Sequence, residues 1–288
     1  MLCSVLARAC AVLFLLIDLS GLVRAAPVRD SFVHEQAGRT VRVWHYAPAG
    51  LRADAPVLIV MHGVGRNGED YLNDWVPAAE AKRFLLVVPE FSKADFPGEQ
   101  GYIYGNTVDE AGRARPRAEW SFAMIEPVFD AVRARLGNTS ATYRLYGHSA
   151  GAQFVQRFLY FIPEARVSRA VAANAGWYML PDLDTAFPYG LKGTPVTAAA
   201  RDAALARPLT ILLGEADTDA QHRSLRHTPE ADAQGPHRFA RGQSFFRLAR
   251  DLATRSTRPF HWSLATAPGV AHSNRDMTPF ALRVLFPD

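Results

Sequence analysis

The chain has 288 residues, of which 49% are apolar and 21% are charged, a balance that excludes a disordered, fibrous or multi-spanning membrane protein. The formal net charge is only +4, so the charge gives no reason to expect a nucleic-acid partner. Both cysteines, Cys3 and Cys10, lie in the first ten residues, inside a segment that we predict is removed. This position excludes a disulfide scaffold, a thiolate zinc site and a cysteine nucleophile in the rest of the chain.

Residues 1–25 have the pattern of a signal peptide. Arg8 precedes an apolar run over residues 11–17, and Val23-Arg24-Ala25 fits the small-x-small rule for signal-peptidase cleavage. The apolar run is too short to span a bilayer, so we expect no stable membrane anchor. The sequence therefore predicts an exported protein, periplasmic or extracellular, whose mature chain comprises residues 26–288.

From about residue 39 onward, short apolar runs of β type alternate with stretches of helical periodicity, which is typical of an α/β domain. The predicted strands are 40–46, 57–61, 85–88, 143–146, 170–173, 209–213 and 260–265. The predicted helices lie near 70–82, 120–135, 150–160, 241–255 and 276–285. Several strands are uninterrupted apolar runs, as expected where helices cover both faces of a parallel sheet. We predict a single domain with a mostly parallel central sheet flanked by helices on both faces.

Two long segments, 90–119 and 176–207, fit neither pattern. Loops of this length in a compact domain commonly form lids or pocket walls. Tyr102, Trp177 and Tyr178 in these segments are candidates for the walls of a substrate pocket. The alternative, that these aromatic side chains pack the loops onto the domain, stays open at this point.

Residues 147–151 read Gly-His-Ser-Ala-Gly, a G-x-S-x-G motif. A predicted strand precedes the motif and a predicted helix follows it, which places Ser149 on a tight strand-to-helix turn. Such a turn needs Gly147 and Gly151, because side chains there would collide with the neighbouring strand and helix. The turn presents the hydroxyl outward above a helix N-terminus, and Ser149 is therefore the candidate nucleophile.

A serine hydroxyl needs a base to remove its proton and a carboxylate to orient that base. On this type of fold the chain order is serine, acid, histidine. Asp217 follows the strand 209–213 and is the preferred acid, with Asp219 on the same loop as its rival. His272 follows the last strand and is the preferred base. The other histidines of the second half fit this position less well: His222, His227, His237 and His261.

The oxyanion of an acyl-transfer intermediate needs two preorganised N–H donors. One is expected from the backbone of Ala150, directly after the nucleophile. The other is expected from the glycine-rich loop after strand 57–61, and we place it at Val64. His62 at the start of this loop is expected to support the loop rather than carry a proton.

The same loop contains a competing motif, Gly63-x-Gly65-x-x-Gly68, which matches the fingerprint of dinucleotide-binding folds. Glu90 lies 22 residues beyond Gly68, near the position of a ribose-binding acid. An NAD-binding oxidoreductase is therefore an alternative. It leaves the motif around Ser149 unexplained, and an exported protein lacks access to nicotinamide pools. We expect no cofactor and no metal.

The segments HGVGRN (62–67), GHSAG (147–151), GEAD (214–217) and GVAHS (269–273) resemble those of the α/β-hydrolase superfamily. Within it, the oxyanion loop and the PEF, EWSF and GHSAGAQF segments are similar to poly(3-hydroxybutyrate) depolymerases and feruloyl-esterase-like secreted esterases. The resemblance implies an α/β-hydrolase fold and a carboxylic ester hydrolase with the triad Ser149, Asp217 and His272.

This resemblance leaves the substrate open among polyester, feruloyl and acetyl esters. We expect no separate polymer-binding domain and no disulfides in the mature chain, which favours a small or oligomeric ester. The sequence thus predicts an exported serine esterase that acts through an acyl-enzyme. A serine peptidase, a thioesterase or a non-catalytic binding protein on the same fold are the remaining alternatives, and the oligomeric state is unknown.

Overall fold

The computed structural model describes residues 26–109 and 111–287. These residues contain one eight-stranded sheet. Its strands are β1 (Val28–Gln36), β2 (Arg39–Ala47), β3 (Val57–Met61), β4 (Leu85–Glu90), β5 (Tyr143–His148), β6 (Val167–Ala173), β7 (Leu209–Gly214) and β8 (Trp262–Ala267). Their order across the sheet is β1-β2-β4-β3-β5-β6-β7-β8. Strand β2 pairs antiparallel with β1 and β4, and the other neighbouring strands pair in parallel. The predicted fold class, α/β with a mostly parallel sheet, is confirmed.

Strand β1 was not predicted from the sequence. It lies at the edge of the sheet, and its residues are exposed or half-buried, so it contains no apolar run. A two-residue turn joins it to β2, in which Ala37 and Gly38 both have positive φ angles, 49° and 71°. That backbone twist suits a tight hairpin between right-handed strands.

The helices of the described residues are α1 (Gly68–Lys82), α2 (Ile125–Leu136), α3 (Ala150–Phe161), α4 (Ala198–Leu205), α5 (Pro229–Asp232), α6 (Arg238–Arg255) and α7 (Asn274–Leu285). Helices α4 and α5 were not predicted, because they are short and lie in segments without clear periodicity. The helix predicted to start at residue 120 begins at Ile125, after a short 3₁₀ turn over Phe122–Met124.

The sheet separates two apolar clusters. Strand β3 shows the alternation directly: Val57, Ile59 and Met61 face one cluster, whereas Leu58 and Val60 face the other. All five side chains are buried. Helices α2, α3 and α6 cover the first face, and α1 and α7 cover the second. Because both faces are covered, several strands, β3 among them, are uninterrupted apolar runs, as the sequence indicated.

The carboxyl ends of the parallel strands lie along one edge of the sheet. The loop after β3, the turn after β5 and the loops after β7 and β8 therefore meet at that edge. These are the four segments in which the sequence places its functional residues, so the topology brings together parts of the chain that are more than 200 residues apart.

The predicted signal peptide, residues 1–25, lies outside the described residues, as do Cys3 and Cys10. Within residues 26–109 and 111–287, no helix is long and apolar enough to cross a membrane.

Candidate active site

Ser149 occupies a strained turn between β5 and α3. Its backbone has φ 58° and ψ −117°, a region that side chains rarely adopt. The two flanking glycines make the turn possible. A Cβ on Gly147 would lie 2.1 Å from the carbonyl oxygen of Gly151, and one on Gly151 would lie 2.0 Å from that of Met61. The motif is therefore dictated by sterics on both sides of the serine.

The structure brings Ser149, His272 and Asp217 into one line of hydrogen bonds. The Ser149 hydroxyl lies 3.0 Å from His272 Nε2, and His272 Nδ1 lies 2.7 Å from Asp217 Oδ2. In a neutral imidazole with its proton on Nδ1, that N–H donates to the carboxylate, and Nε2 is free to accept the serine proton. The Asp217 side chain is only 2% exposed and that of His272 is 16% exposed, so solvent reaches the histidine but not the acid.

The rival acid and the other histidines lie elsewhere. Asp219 is exposed and accepts a hydrogen bond from the backbone of Gln221. The remaining histidines make local contacts: His227 with Asp232, His237 with the first turn of α6, and His261 through its backbone with Leu205. His222 is different, because its ring lies 5.6 Å from that of His272, centroid to centroid.

Asn174, which the sequence analysis missed, ties the loops of the acid and the histidine together. It directly follows β6, is buried, and has a positive φ of 51°. Its Oδ1 accepts from Gly214 N at 2.7 Å, and its Nδ2 donates to the Ala271 carbonyl at 3.1 Å. The sequence could have indicated Asn174, because a polar residue at the carboxyl end of a central parallel strand lies at the edge of the sheet where sites form.

The loop after β3 lies beside the nucleophile. Val64 is 56% exposed and borders the same cavity as Ser149. Ala150 starts α3, and the N–H groups of a first helical turn have no partner inside the helix. The two expected oxyanion donors thus lie on segments that flank the serine. A Cβ on Gly63 would lie 2.7 Å from the Tyr71 hydroxyl and 3.9 Å from Ser149 Cβ, which shows how closely this loop approaches.

His62 supports the loop through both ring nitrogens. Nδ1 lies 3.0 Å from the Gly63 carbonyl, and Nε2 accepts from the backbone N–H of Phe91 at 3.0 Å. Burial lowers the pKa of His62 to about 3, so the ring is neutral at ordinary pH and cannot act as a cation. Tyr102 stacks on this ring, with centroids 4.7 Å apart, and its hydroxyl donates to the His62 carbonyl at 2.8 Å.

His148, the first variable residue of the G-x-S-x-G motif, lies beside His272. Its ring centroid is 4.7 Å from that of His272, and its Nδ1 is 3.2 Å from the Tyr71 hydroxyl. Burial lowers the pKa of His148 well below its usual range, and the nearby His272 lowers it further. A neutral His148 would not repel a positive charge on His272.

The three candidate pocket residues of the long loops are buried in the protein. Trp177 packs between Arg157 and Arg226, whose guanidinium carbons lie 4.3 and 4.9 Å from its ring. Tyr178 stacks on Phe245, with centroids 4.4 Å apart. Tyr102 contacts His62, as described above. These side chains are not among the residues that line the cavity beside Ser149.

The acid of the competing dinucleotide motif has other partners. Glu90 Oε2 accepts from the Gly68 amide at 2.9 Å and from the Trp44 indole at 3.0 Å. It therefore holds the start of α1 against β2. A Cβ on Gly68 would collide with this carboxylate, which explains a glycine of the motif without a nucleotide.

Ser149 and His272 line a cavity of about 310 Å³. Its lining residues are Gly63, Val64, Gly65, Asn67, Asp70, Tyr71, Asp74, His148, Ser149, Ser224, His272 and Asn274. A larger depression, of about 510 Å³, surrounds Gly50–Pro56 and Arg83. We assign the site to the smaller cavity, because only that one contains the hydrogen-bonded serine and histidine.

Comparison with solved structures places this geometry in a family. The chain is 49% identical to poly(aspartic acid) hydrolase-1 from Sphingomonas sp. KT-1, covering 90% of this chain and 99% of that one, with a TM-score of 0.88. It is 35% identical to LpqC, a poly(3-hydroxybutyrate) depolymerase from Bordetella parapertussis, covering 91% of each chain, with a TM-score of 0.86.

A more distant structure shows the fold alone. The siderophore hydrolase EstB from Aspergillus nidulans is 16% identical, with a TM-score of 0.56 over 90% of this chain and 96% of that one. No protein-family model and no curated protein sequence matches the chain. The resemblance inferred from the motifs is confirmed by the two similar structures: the chain is a hydrolase and belongs to the α/β-hydrolase family that includes poly(aspartic acid) hydrolase-1 and the depolymerase LpqC.

Proposed function

We propose that the chain is an exported serine hydrolase that cleaves carboxylic esters through an acyl-enzyme. The observation that carries this proposal is the continuous line of hydrogen bonds from Asp217 through His272 to Ser149 at the mouth of a cavity. A nucleophile, a base and a group that orients the base are the parts that acyl transfer requires. Membership in a family of hydrolases supports the same chemistry.

The proposed reaction has two stages, acylation of Ser149 and hydrolysis of the acyl-enzyme. The Ser149 oxygen attacks the ester carbonyl carbon while His272 Nε2 takes the serine proton. The oxyanion that forms accepts hydrogen bonds from the amides of Val64 and Ala150. When the carbon–oxygen bond to the leaving group breaks, His272 returns the proton to the departing alcohol. Water, deprotonated by the same histidine, then attacks the acyl-enzyme, and His272 returns this proton to Ser149 Oγ as the acid is released. Asp217 keeps the imidazole proton on Nδ1 throughout.

The rim of the cavity favours a neutral substrate. Asp70 is exposed at the rim and hydrogen-bonds to the neutral amide of Asn67, so it places a negative charge beside the entrance. Asp74 lies on the same wall, where Asn274 and Arg275 bind its carboxylate. A carboxylate at the entrance repels a polyanion but exerts no net electrostatic repulsion on an uncharged ester. The volume of about 310 Å³ is at the small end of ligand sites, which suits a small or oligomeric ester.

A second candidate is hydrolysis of the amide bonds of poly(aspartic acid). The observation that favours it is the 49% identity to poly(aspartic acid) hydrolase-1 over nearly the whole of that chain. The same triad cleaves amides provided that His272 protonates the leaving nitrogen before the bond breaks.

One experiment compares the two candidates. Wild type and Ser149→Ala are assayed on 4-nitrophenyl butyrate, a feruloyl ester, a butyryl thioester, a 3-hydroxybutyrate oligomer and poly(aspartic acid). We expect ester turnover with a burst of released alcohol that matches the enzyme concentration, and a loss of at least about 10³-fold in the variant. Equal rates for wild type and variant would refute the serine mechanism. Cleavage of poly(aspartic acid) without cleavage of any ester would select the second candidate.

Export is tested separately. It rests on the residue pattern of the first 25 positions. Cells that express the full chain are fractionated, and the N-terminus of the recovered protein is sequenced. We expect a start at Ala26 in the periplasm or the medium. A protein that stays in the cytoplasm with its N-terminal 25 residues intact would refute export.

A further inference from the structure

Arg238 is a buried cation in contact with the proposed catalytic acid. It is the first residue of α6 and is 1% exposed. Its Nη1 lies 3.3 Å from Asp217 Oδ1. The two oxygens of this carboxylate thus have different partners, since Oδ2 binds His272. A carboxylate held at both oxygens has no freedom to rotate away from the imidazole.

The other nitrogen of the same guanidinium holds a loop at the mouth of the cavity. Nη2 donates to Ser224 Oγ at 2.9 Å and to His222 Nδ1 at 3.1 Å. Ser224 lines the cavity, and the ring of His222 meets that of His272 edge to face. The planar fork of one arginine therefore joins the acid to a wall of the substrate cavity, which a point charge such as lysine cannot do.

We propose that Arg238 is a positioning residue of this site. It fixes the orientation of Asp217 and holds Ser224 and His222 against the cavity. The inference rests on the proposed triad and adds a residue to which the sequence motifs give no clue. Arg238 does not touch the substrate and acts through the groups that it holds.

The charges around the triad give this role a measurable signature. The groups that face His272 are the Asp217 carboxylate, His148 and His222, and Tyr178 and Asp219 lie close to Asp217 and His222 respectively. Burial lowers the pKa of His148 and of His222, and the charge of Arg238 lowers that of His222 further. Both rings are thus neutral at pH 7. Arg238 is then the cation that counters Asp217.

Removal of this cation leaves the full charge of Asp217 to act on His272. A charged imidazole is stabilised by an uncompensated carboxylate, so the histidine loses its proton only at higher pH. Because the acid limb of kcat/KM reports the deprotonation of the base, we expect that limb to move to higher pH in Arg238→Met, by about one unit. We also expect kcat to fall about 10–100-fold, which is less than for a member of the proposed triad and is typical for a partner one step removed from the reacting groups.

Arg241 provides a matched control on the same helix. It is equally buried, and it pairs with Asp232 at 2.8 Å and donates to the carbonyls of Gly235 and Gly176. It touches no member of the triad. Arg241→Met should therefore destabilise the fold, as loss of a buried ion-pair partner does, without moving the acid limb.

The experiment measures kcat and KM for 4-nitrophenyl butyrate from pH 5 to 9 for the full chain and for Arg238→Met, Arg238→Lys and Arg241→Met. Rates are normalised to the folded fraction measured by circular dichroism. We expect Arg238→Lys to keep the acid limb of the wild type, because the charge remains, and to raise KM, because the fork that holds Ser224 is lost.

The outcomes separate this inference from the proposed function. A limb that moves in Arg238→Met and not in Arg241→Met supports the inference. The inference is overturned if both Arg238 variants keep the acid limb and the KM of the wild type. It is also overturned if Arg241→Met shifts the acid limb by the same amount as Arg238→Met. If Arg238→Met fails to fold, an Arg238→Lys variant with a wild-type KM overturns it. A wild type that hydrolyses no ester, or a Ser149→Ala variant of equal activity, refutes the proposed function instead.

Discussion

The short turns after the parallel strands, which carry the proposed triad, and the two long loops of the sequence differ in how their residues are held. The turns hold polar residues through backbone geometry and single hydrogen bonds, as Ser149 and Asn174 show with their positive φ angles. The long loops are held by large aromatic side chains buried in the core, such as Tyr102 and Trp177. The conformation of the turns therefore depends on backbone angles and single hydrogen bonds, whereas that of the long loops depends on the packing of buried side chains.

This difference predicts which changes damage activity and which damage stability. A substitution in a turn can abolish turnover while the fold survives. A substitution of an aromatic residue in a long loop can destabilise the protein while the remaining folded molecules react normally.

The largest effect is expected from Asp217→Asn. An asparagine amide can donate to His272 Nδ1, which would favour the tautomer that cannot accept the serine proton. We expect kcat for 4-nitrophenyl butyrate to fall by about 10⁴-fold, as the loss of a triad aspartate does. The circular dichroism spectrum at 25 °C should remain that of the folded protein.

Asp219→Asn is the control for this variant, because Asp219 lies on the same loop and is exposed. It should retain full activity. Activity lost in Asp219→Asn and retained in Asp217→Asn would mean that the rival carboxylate orients the histidine, and the distinction between precise turns and the rest of the loop would fail.

The second effect is expected in a long loop. Trp177→Ala removes a buried indole from between two arginines, and such large-to-small changes cost about 3–5 kcal/mol of the free energy of unfolding. Urea denaturation measures this loss. KM and kcat of the folded fraction should stay within about twofold of wild type, because Trp177 does not line the cavity. A large rise in KM without loss of stability would contradict this prediction and indicate that Trp177 contacts the substrate.

What the sequence could indicate followed the same division. The proximity of Ser149, Asp217 and His272 could be predicted because turn geometry is local: glycines around a serine and loops after apolar strands leave a recognisable pattern. Asn174 also directly follows a parallel strand, so the same reasoning could have found it. Arg238 could not be found in this way, since its contact with Asp217 depends on how α6 packs, and nothing in the local sequence indicates that packing.

The role of the long loops was also beyond the sequence. Aromatic residues among prolines are consistent with a pocket wall and with a packed surface loop, and only the tertiary contacts distinguish the two. Strand β1 was missed for a related reason, because an exposed edge strand contains no apolar run.

Two glycines test the same difference between a short turn and a long loop. Gly151 lies in the nucleophile turn, where a Cβ would meet the Met61 carbonyl at 2.0 Å. Gly176 lies at the start of a long loop, where the nearest atom to a Cβ is 3.8 Å away. Gly151→Ala should lower the free energy of unfolding by about 1–3 kcal/mol and lower kcat, though by less than Asp217→Asn does. Gly176→Ala should change both by less than the error of urea denaturation and kinetics. Equal effects of the two substitutions would contradict the difference in tolerance.

The smallest effect is expected from pH acting on His62, where turn and long loop meet. Its pKa is about 3 in the folded protein and near 6.5 in the unfolded chain. The unfolded chain therefore binds a proton below pH 6.5 that the folded protein excludes, and the stability present above that pH is lost as the pH falls towards 3. From pH 6.5 to 5 the expected loss is about 2 kcal/mol, because the unfolded chain gains a proton that the buried ring of the folded protein does not bind. Urea denaturation of wild type and His62→Gln at pH 7.5 and 5 isolates this contribution.

His148 titrates in the same direction and remains in both proteins, so the variant should lose less stability than wild type by about 2 kcal/mol. An identical loss in the two proteins would show that His62 is protonated, or exposed, in the folded state, and that the long loop does not hold this ring neutral.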